Sequence, residues 1–128
     1  MPQSVTEQLD KLRASVPDAR VAAFVDLESE LVLANSASTR LPQEDLDRIA
    51  GSASRLLAAR ADLIGWGGSA IPDFPAEAIL LTTQGTFVFL RSPKEGNEAF
   101  CCVCGTDVDA NQALAHARAA VDELAKAP

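Results

Sequence analysis

The chain has 128 residues, 48% of them hydrophobic and 23% charged, the size and balance of an ordinary globular chain and of a single domain over 1–128. Eleven basic against 18 acidic side chains leave a net charge of −7, which repels phosphate backbones and anionic bilayers and argues against nucleic acid or a membrane as partner. No apolar run approaches the roughly 20 residues of a membrane span, and Met1-Pro2-Gln3-Ser4 opens no basic-then-apolar leader.

Ser4 followed by Glu7 fits a capping box. Behind it Val5, Leu9, Leu12 and Val16 recur at helical spacing, which predicts a short amphipathic helix ending near Ser15, before Pro17. Val21–Val25 and Leu31–Ala34 are strand-like runs around a polar break, Glu28-Ser29-Glu30, and predict a hairpin. Pro42, with Glu44, Asp45 and Asp47 after it, opens a second helix. Its apolar period runs from Leu46 to Ile64, and Gly65 suits its C-terminal cap. Residues 65–76 are too rich in Gly and Pro for a regular element.

Ala78–Thr82 and Thr86–Leu90 flank Gln84-Gly85 as a second hairpin, and Ala99–Cys104 makes a fifth strand. Asp107 or Asp109 caps a last helix striped by Leu114, Ala117, Val121 and Leu124. The order α-β-β-α-β-β-β-α, with strands in hairpins, predicts an α+β fold with one antiparallel five-stranded sheet. The last three strands are apolar at nearly every position, as strands covered on both faces are, so helices are expected on both sides of the sheet.

No set of residues proposes catalysis, so the chain is expected not to be an enzyme and to carry no cofactor. The one histidine, His116, falls off the apolar stripe of its helix. Cys101, Cys102 and Cys104 have a Cys-Cys-x-Cys spacing that strand geometry splits between two faces, so they are read as buried apolar residues and not as metal ligands. With thiols kept reduced, a cytoplasmic setting is expected. Gly65-Trp66-Gly67-Gly68-Ser69 lacks the Lys and Ser/Thr ending of a phosphate loop. Trp66 and Phe74, large aromatics in that segment, are instead candidates for partner contact. On the second helix Ile49, Leu56 and Leu63 border an apolar face wider than one sheet requires, which suggests a second subunit as well as its own sheet.

The stretch Thr106–Ala115, an acidic cap followed by Ala-Asn-Gln-Ala-Leu-Ala at the start of the final helix, and the hairpin Val21–Ser36 resemble the roadblock/dynein light chain superfamily. The likeness covers nearly the whole chain. It departs at Glu28-Ser29, where members often place Asp-Gly, and at 65–75, which is longer than the usual link. The resemblance implies a non-enzymatic module that forms homodimers or heterodimers, pairing with its counterpart through the second helix and third strand. The dimer interface would then take in Ile49, Leu56, Leu63, Ala78, Leu80 and Thr82. Bacterial members similar to the gliding regulator MglB bind a small Ras-like GTPase and stimulate its hydrolysis, and eukaryotic members scaffold such GTPases. The alternative from another class is a profilin- or PAS-like domain holding a small ligand, for which a pocket with convergent polar groups is the signature.

Overall fold

The computed structural model describes residues 4–57, 77–92 and 97–126. Three helices and five strands follow in the expected order: α1 (Val5–Ser15), β1 (Ala19–Asp26), β2 (Leu31–Ala37), α2 (Gln43–Leu57), β3 (Glu77–Thr82), β4 (Gly85–Arg91), β5 (Glu98–Cys104) and α3 (Ala110–Lys126). The strands form one antiparallel sheet in the order β2-β1-β5-β4-β3. The fold class is therefore α+β, and β2 and β3 are its two edges.

Each helix starts where its polar residues dictate. Ser4 accepts a hydrogen bond from the Glu7 amide at 3.2 Å and caps α1. Asp109, not Asp107, caps α3: its Oδ1 accepts from the amides of Asn111 at 2.9 Å and Gln112 at 3.3 Å. The Pro42 carbonyl accepts from Asp45 and Leu46 at the start of α2. The expected continuation of α2 to Ile64, and the loop carrying Trp66 and Phe74, lie outside the described residues.

The sheet divides the interior into two layers. Leu9 and Leu12 of α1 and Ala113, Ala117 and Val121 of α3 pack on Ala22, Val88, Leu90, Phe100, Cys102 and Cys104. Ile49, Ala50, Ala53 and Leu57 of α2 pack on Val21, Ala23, Val25, Phe89, Ala99 and Cys101 across the other face. Burying each large apolar side chain here contributes about 1.5–3 kcal/mol. The cysteines fall on the two faces as strand geometry required, and all three are buried. Burial pushes the Cys101 thiol well up, and raises Cys102 to about 12 and Cys104 to about 11, so none is a thiolate at neutral pH.

The hairpins differ from expectation at their turns. The first is organised by Asp26, whose carboxylate accepts from the Glu28 amide at 3.0 Å and the Ser29 hydroxyl at 2.9 Å. Glu30, at φ 57°, takes the left-handed position that Gly or Asn more often fills. The second is one residue out of register with the sequence reading. The turn is Thr83-Gln84, and Gly85 is already paired with Thr82 as the first residue of β4. The glycine is required there by close approach, since a Cβ at Gly85 would stand 2.5 Å from the Cys104 carbonyl oxygen. The Thr82 hydroxyl closes the turn, accepting from the Gln84 and Gly85 amides at 3.1 Å each.

Candidate functional site

β4 and β5 are covered on both faces, as their composition predicts. β3 has the same apolar character, Ala78-Ile79-Leu80-Leu81, yet none of its six residues is buried. Among the described residues it hydrogen-bonds to β4 alone, and no described strand pairs with its other edge. Leu81 is 67% exposed, the highest value among the exposed large apolar residues of the described chain. An unblocked, regular, apolar edge is the feature that natural sheets otherwise avoid.

Beside this edge lies an open groove of about 420 Å³ between α2 and the β3–β4 turn. Leu41, Ile49, Leu80, Phe87 and Val103 make its floor. Asp45, Arg48, Ser52, Thr82, Thr83 and Gln84 make its rim. Arg48 is drawn along its own helix by Glu44 at 3.4 Å and Asp45 at 3.7 Å. These are exposed pairs of small energetic weight. The groove is apolar at its base and open on its side, and its rim charges face one another, so it has the form of a contact surface and not of an enclosed ligand site.

On the opposite face of β3, Glu77 receives two hydrogen bonds from Arg118 of α3, Nε to Oε2 at 2.5 Å and Nη2 to Oε1 at 2.6 Å. These bonds hold the Glu77 carboxyl below its ordinary range. Glu77 is the only charge on β3, and this fork neutralises it.

Of the residues expected at an interface, Ile49, Leu80 and Thr82 meet at the groove. Ala78 and Leu80 are half-buried on the α2 side of β3. Leu56 is half-buried and packs against the α2-side core. Leu63, Trp66 and Phe74 lie outside the described residues. Sequence reasoning missed Leu81, Arg48 and the Glu77–Arg118 pair. The third strand was expected at the interface, but the residues chosen on it, Ala78, Leu80 and Thr82, lie on one face and Leu81 on the other; the pair was hidden because it joins residues 41 apart in sequence. His116 is exposed on α3. Among the described residues no group of His, Cys, Asp or Glu is placed to hold a metal ion, and no helix is long and apolar enough to cross a membrane.

No protein-family model matches the sequence, and no curated protein matches it either. Solved structures do. A Roadblock/LC7 domain from Streptomyces avermitilis superposes with a TM-score of 0.71 at 16% identity, over 96% of each chain. Myxococcus xanthus MglB does so at 0.70 and 15% identity, over 94% of this chain and 91% of its own. An MglB solved in a tetrameric arrangement gives 0.67 and 18%, over 94% and 84%. Schizosaccharomyces pombe profilin gives 0.62 and 14%, over 95% and 97%. The chain thus has the roadblock fold, the MglB-like layout expected from its sequence.

Proposed function

We propose that the chain is a non-enzymatic, homodimeric interaction module that pairs through α2 and β3 and scaffolds or regulates a small Ras-like GTPase. The observation that carries the pairing is the β3 edge. Four apolar residues in a row are none of them fully buried, their strand edge has no partner among the described residues, and an apolar groove continues the surface onto α2. A second copy covers both at once and removes the exposed edge. The roadblock fold, and the tetrameric arrangement of one MglB, support an assembly of this kind. The GTPase part rests on the likeness to MglB in sequence pattern and fold. The acidic balance of the chain suits a basic patch on such a partner.

The profilin-like alternative has the fold in its favour, but the groove is open and its floor lacks convergent polar groups. Two measurements test the proposal. Sedimentation of the purified chain should give twice the monomer mass. Affinity capture from the native organism, read by mass spectrometry, should recover a small GTPase, whose GTP hydrolysis is then measured with and without the chain. A monomer at high concentration removes the first half of the proposal. The absence of any GTPase, or capture that persists when the GTPase is absent, removes the second.

A further inference from the structure

The backbone of β3 limits how a second copy can be added. Thr82 and Gly85 flank a two-residue turn. They must exchange their own amide and carbonyl bonds, because the alternative ladder pattern would require Thr83 and Gln84 to bond each other. Alternation along the strand then turns the backbone groups of Thr82, Leu80 and Ala78 toward β4. Those of Glu77, Ile79 and Leu81 point off the edge of the sheet. Among the described residues of this edge, a joining strand can bond only to these three.

We infer that a second copy joins β3 antiparallel about a two-fold axis at Ile79, with Ile79 opposite the partner's Ile79 and Glu77 opposite the partner's Leu81. The inference rests on the dimer reading above and names its register. Two-fold antiparallel pairing in any even-stepped register puts outward residues opposite outward residues, but only this one uses all three. Shifting the copy toward the turn pairs Ile79 with the partner's Leu81 and leaves the amide and carbonyl of Glu77 unpaired. Shifting it the other way carries Leu81 past the partner's Glu77, beyond the described strand, and brings the two Glu77 carboxylates closer. Each outward pair exchanges two backbone hydrogen bonds, so either shift forfeits a pair.

Side chains favour the same register. On the α2 face Ala78 falls opposite the partner's Leu80, small against large, where a shift would set leucine against leucine or alanine against alanine. On the α3 face the partner's Leu81, the most exposed of the large apolar residues, falls beside Glu77. Arg118 holds the Glu77 carboxylate back along α3. That leaves the apolar stem of Glu77 to lie over the leucine.

Disulfide trapping tests this. The native cysteines are buried and their thiols raised, so an introduced surface cysteine is the reactive one. Ile79→Cys should form a covalent dimer under mild oxidation. Glu77→Cys and Leu81→Cys should each fail alone, because the like positions stand roughly 13 Å apart along the strands, beyond the ~7 Å reach of a disulfide. Mixed together, those two variants should crosslink to each other. Sedimentation is run on each variant under reducing conditions. A dimer that crosslinks through Leu81→Cys alone, or that is not trapped at Ile79→Cys, overturns the register and leaves the dimer standing. A parent chain that sediments as a monomer overturns the dimer reading and the register with it.

Discussion

At the β2 edge Leu31 and Leu33 are each 52% exposed, and at the β3 edge Leu81 is 67% exposed. By apolar exposure alone the two edges look equivalent, but their backbones differ. β2 carries an extra residue: Phe24 pairs with Ala34 and Val25 with Val32, so Leu33 has no partner and the strand is bulged. The turn feeding it is acidic, with Asp26, Glu28 and Glu30. α1 clamps its far end through a polar chain in which Arg13 Nε donates to Ser36 Oγ at 3.0 Å and the Ser36 hydroxyl donates to Asp10. A bulge, like charges and a covering helix are the devices that stop a strand from templating another chain. Among the described residues β3 has none of them; its ladder is unbroken from Glu77 to Thr82, and its one charge is neutralised by Arg118. Exposed leucines therefore do not mark an interface by themselves, whereas the state of the backbone edge beneath them does.

The largest effect expected from disturbing this arrangement is at the anchor of α1. Leu12 is fully buried beneath the helix that covers β2. Leu12→Ala should lower stability by about 2–5 kcal/mol through lost transfer energy and the cavity left behind, read by denaturant unfolding. A loss well under 1 kcal/mol would mean that α1 is a loose appendage and that β2 is not protected by it.

The next largest effect belongs to the other edge and is an effect on association. A charge at Leu56 would disturb the core against which that residue packs, so it cannot separate folding from pairing. Leu81→Lys can, because the side chain is exposed in the single chain. It should change folding stability by no more than about 0.5 kcal/mol, while weakening self-association at least tenfold, about 1.4 kcal/mol. The matching change on β2, Leu33→Lys, should leave association unaltered. Sedimentation equilibrium on the two variants decides; equal effects at the two edges would end the distinction drawn between them.

Much of this layout was readable in the amino acids, because it depends on local chemistry. Ser4 and Glu7, Pro42 with its acidic followers, and the hydrophobic stripe of α3 place helices through contacts within one or two turns. The alternation that splits Cys101 from Cys102 and Cys104 follows from strand geometry alone. What was missed depends on long-range pairing. Gly85, the first residue of β4, reads as part of the loop until the Cys104 carbonyl of β5 is seen against it. The first hairpin is a local exception: Asp26, outside the break, supplies the turn bonds in place of the usual Gly or Asn. Composition alone did not separate β3 from β4 and β5, because an apolar edge strand and an apolar core strand read alike; the expectation that the third strand pairs with a second copy came from the family resemblance.

A smaller effect tests the clamp on β2. Ser36 is 5% exposed and joins Asp10 to Arg13. Ser36→Ala removes a hydrogen bond each from a carboxylate and a guanidinium that water can still reach, and should destabilise the fold by about 0.5–1.5 kcal/mol with no change in oligomeric state. A shift from dimer to monomer on this substitution would show that the two edges are coupled, contrary to the separation argued above.

The smallest effect contrasts the carboxylates nearest the two edges. At the β2 turn the Ser29 hydroxyl and then the Glu28 amide hold Asp26 below its ordinary pKa, and both are neutral donors. On β3 the hydrogen bonds and the charge of Arg118 hold Glu77 down. Both are depressed carboxylates, so each favours the folded state at pH values above its unfolded pKa, about 3.9 for Asp and 4.3 for Glu. Each contribution is lost as pH falls through the lower folded value. Their response to salt should differ. Added salt screens the attraction between Glu77 and Arg118 and should bring the Glu77 titration back toward its ordinary value. Asp26, bound by uncharged groups, should hardly move. The two midpoints, followed by NMR at low and high ionic strength, are expected to part in this way, and Arg118→Gln should raise Glu77 while leaving Asp26 where it was. If salt moves Asp26 as far as Glu77, a cation outside the turn is acting on it, and the acidic β2 tip is not the unneutralised barrier to pairing that sets it apart from β3.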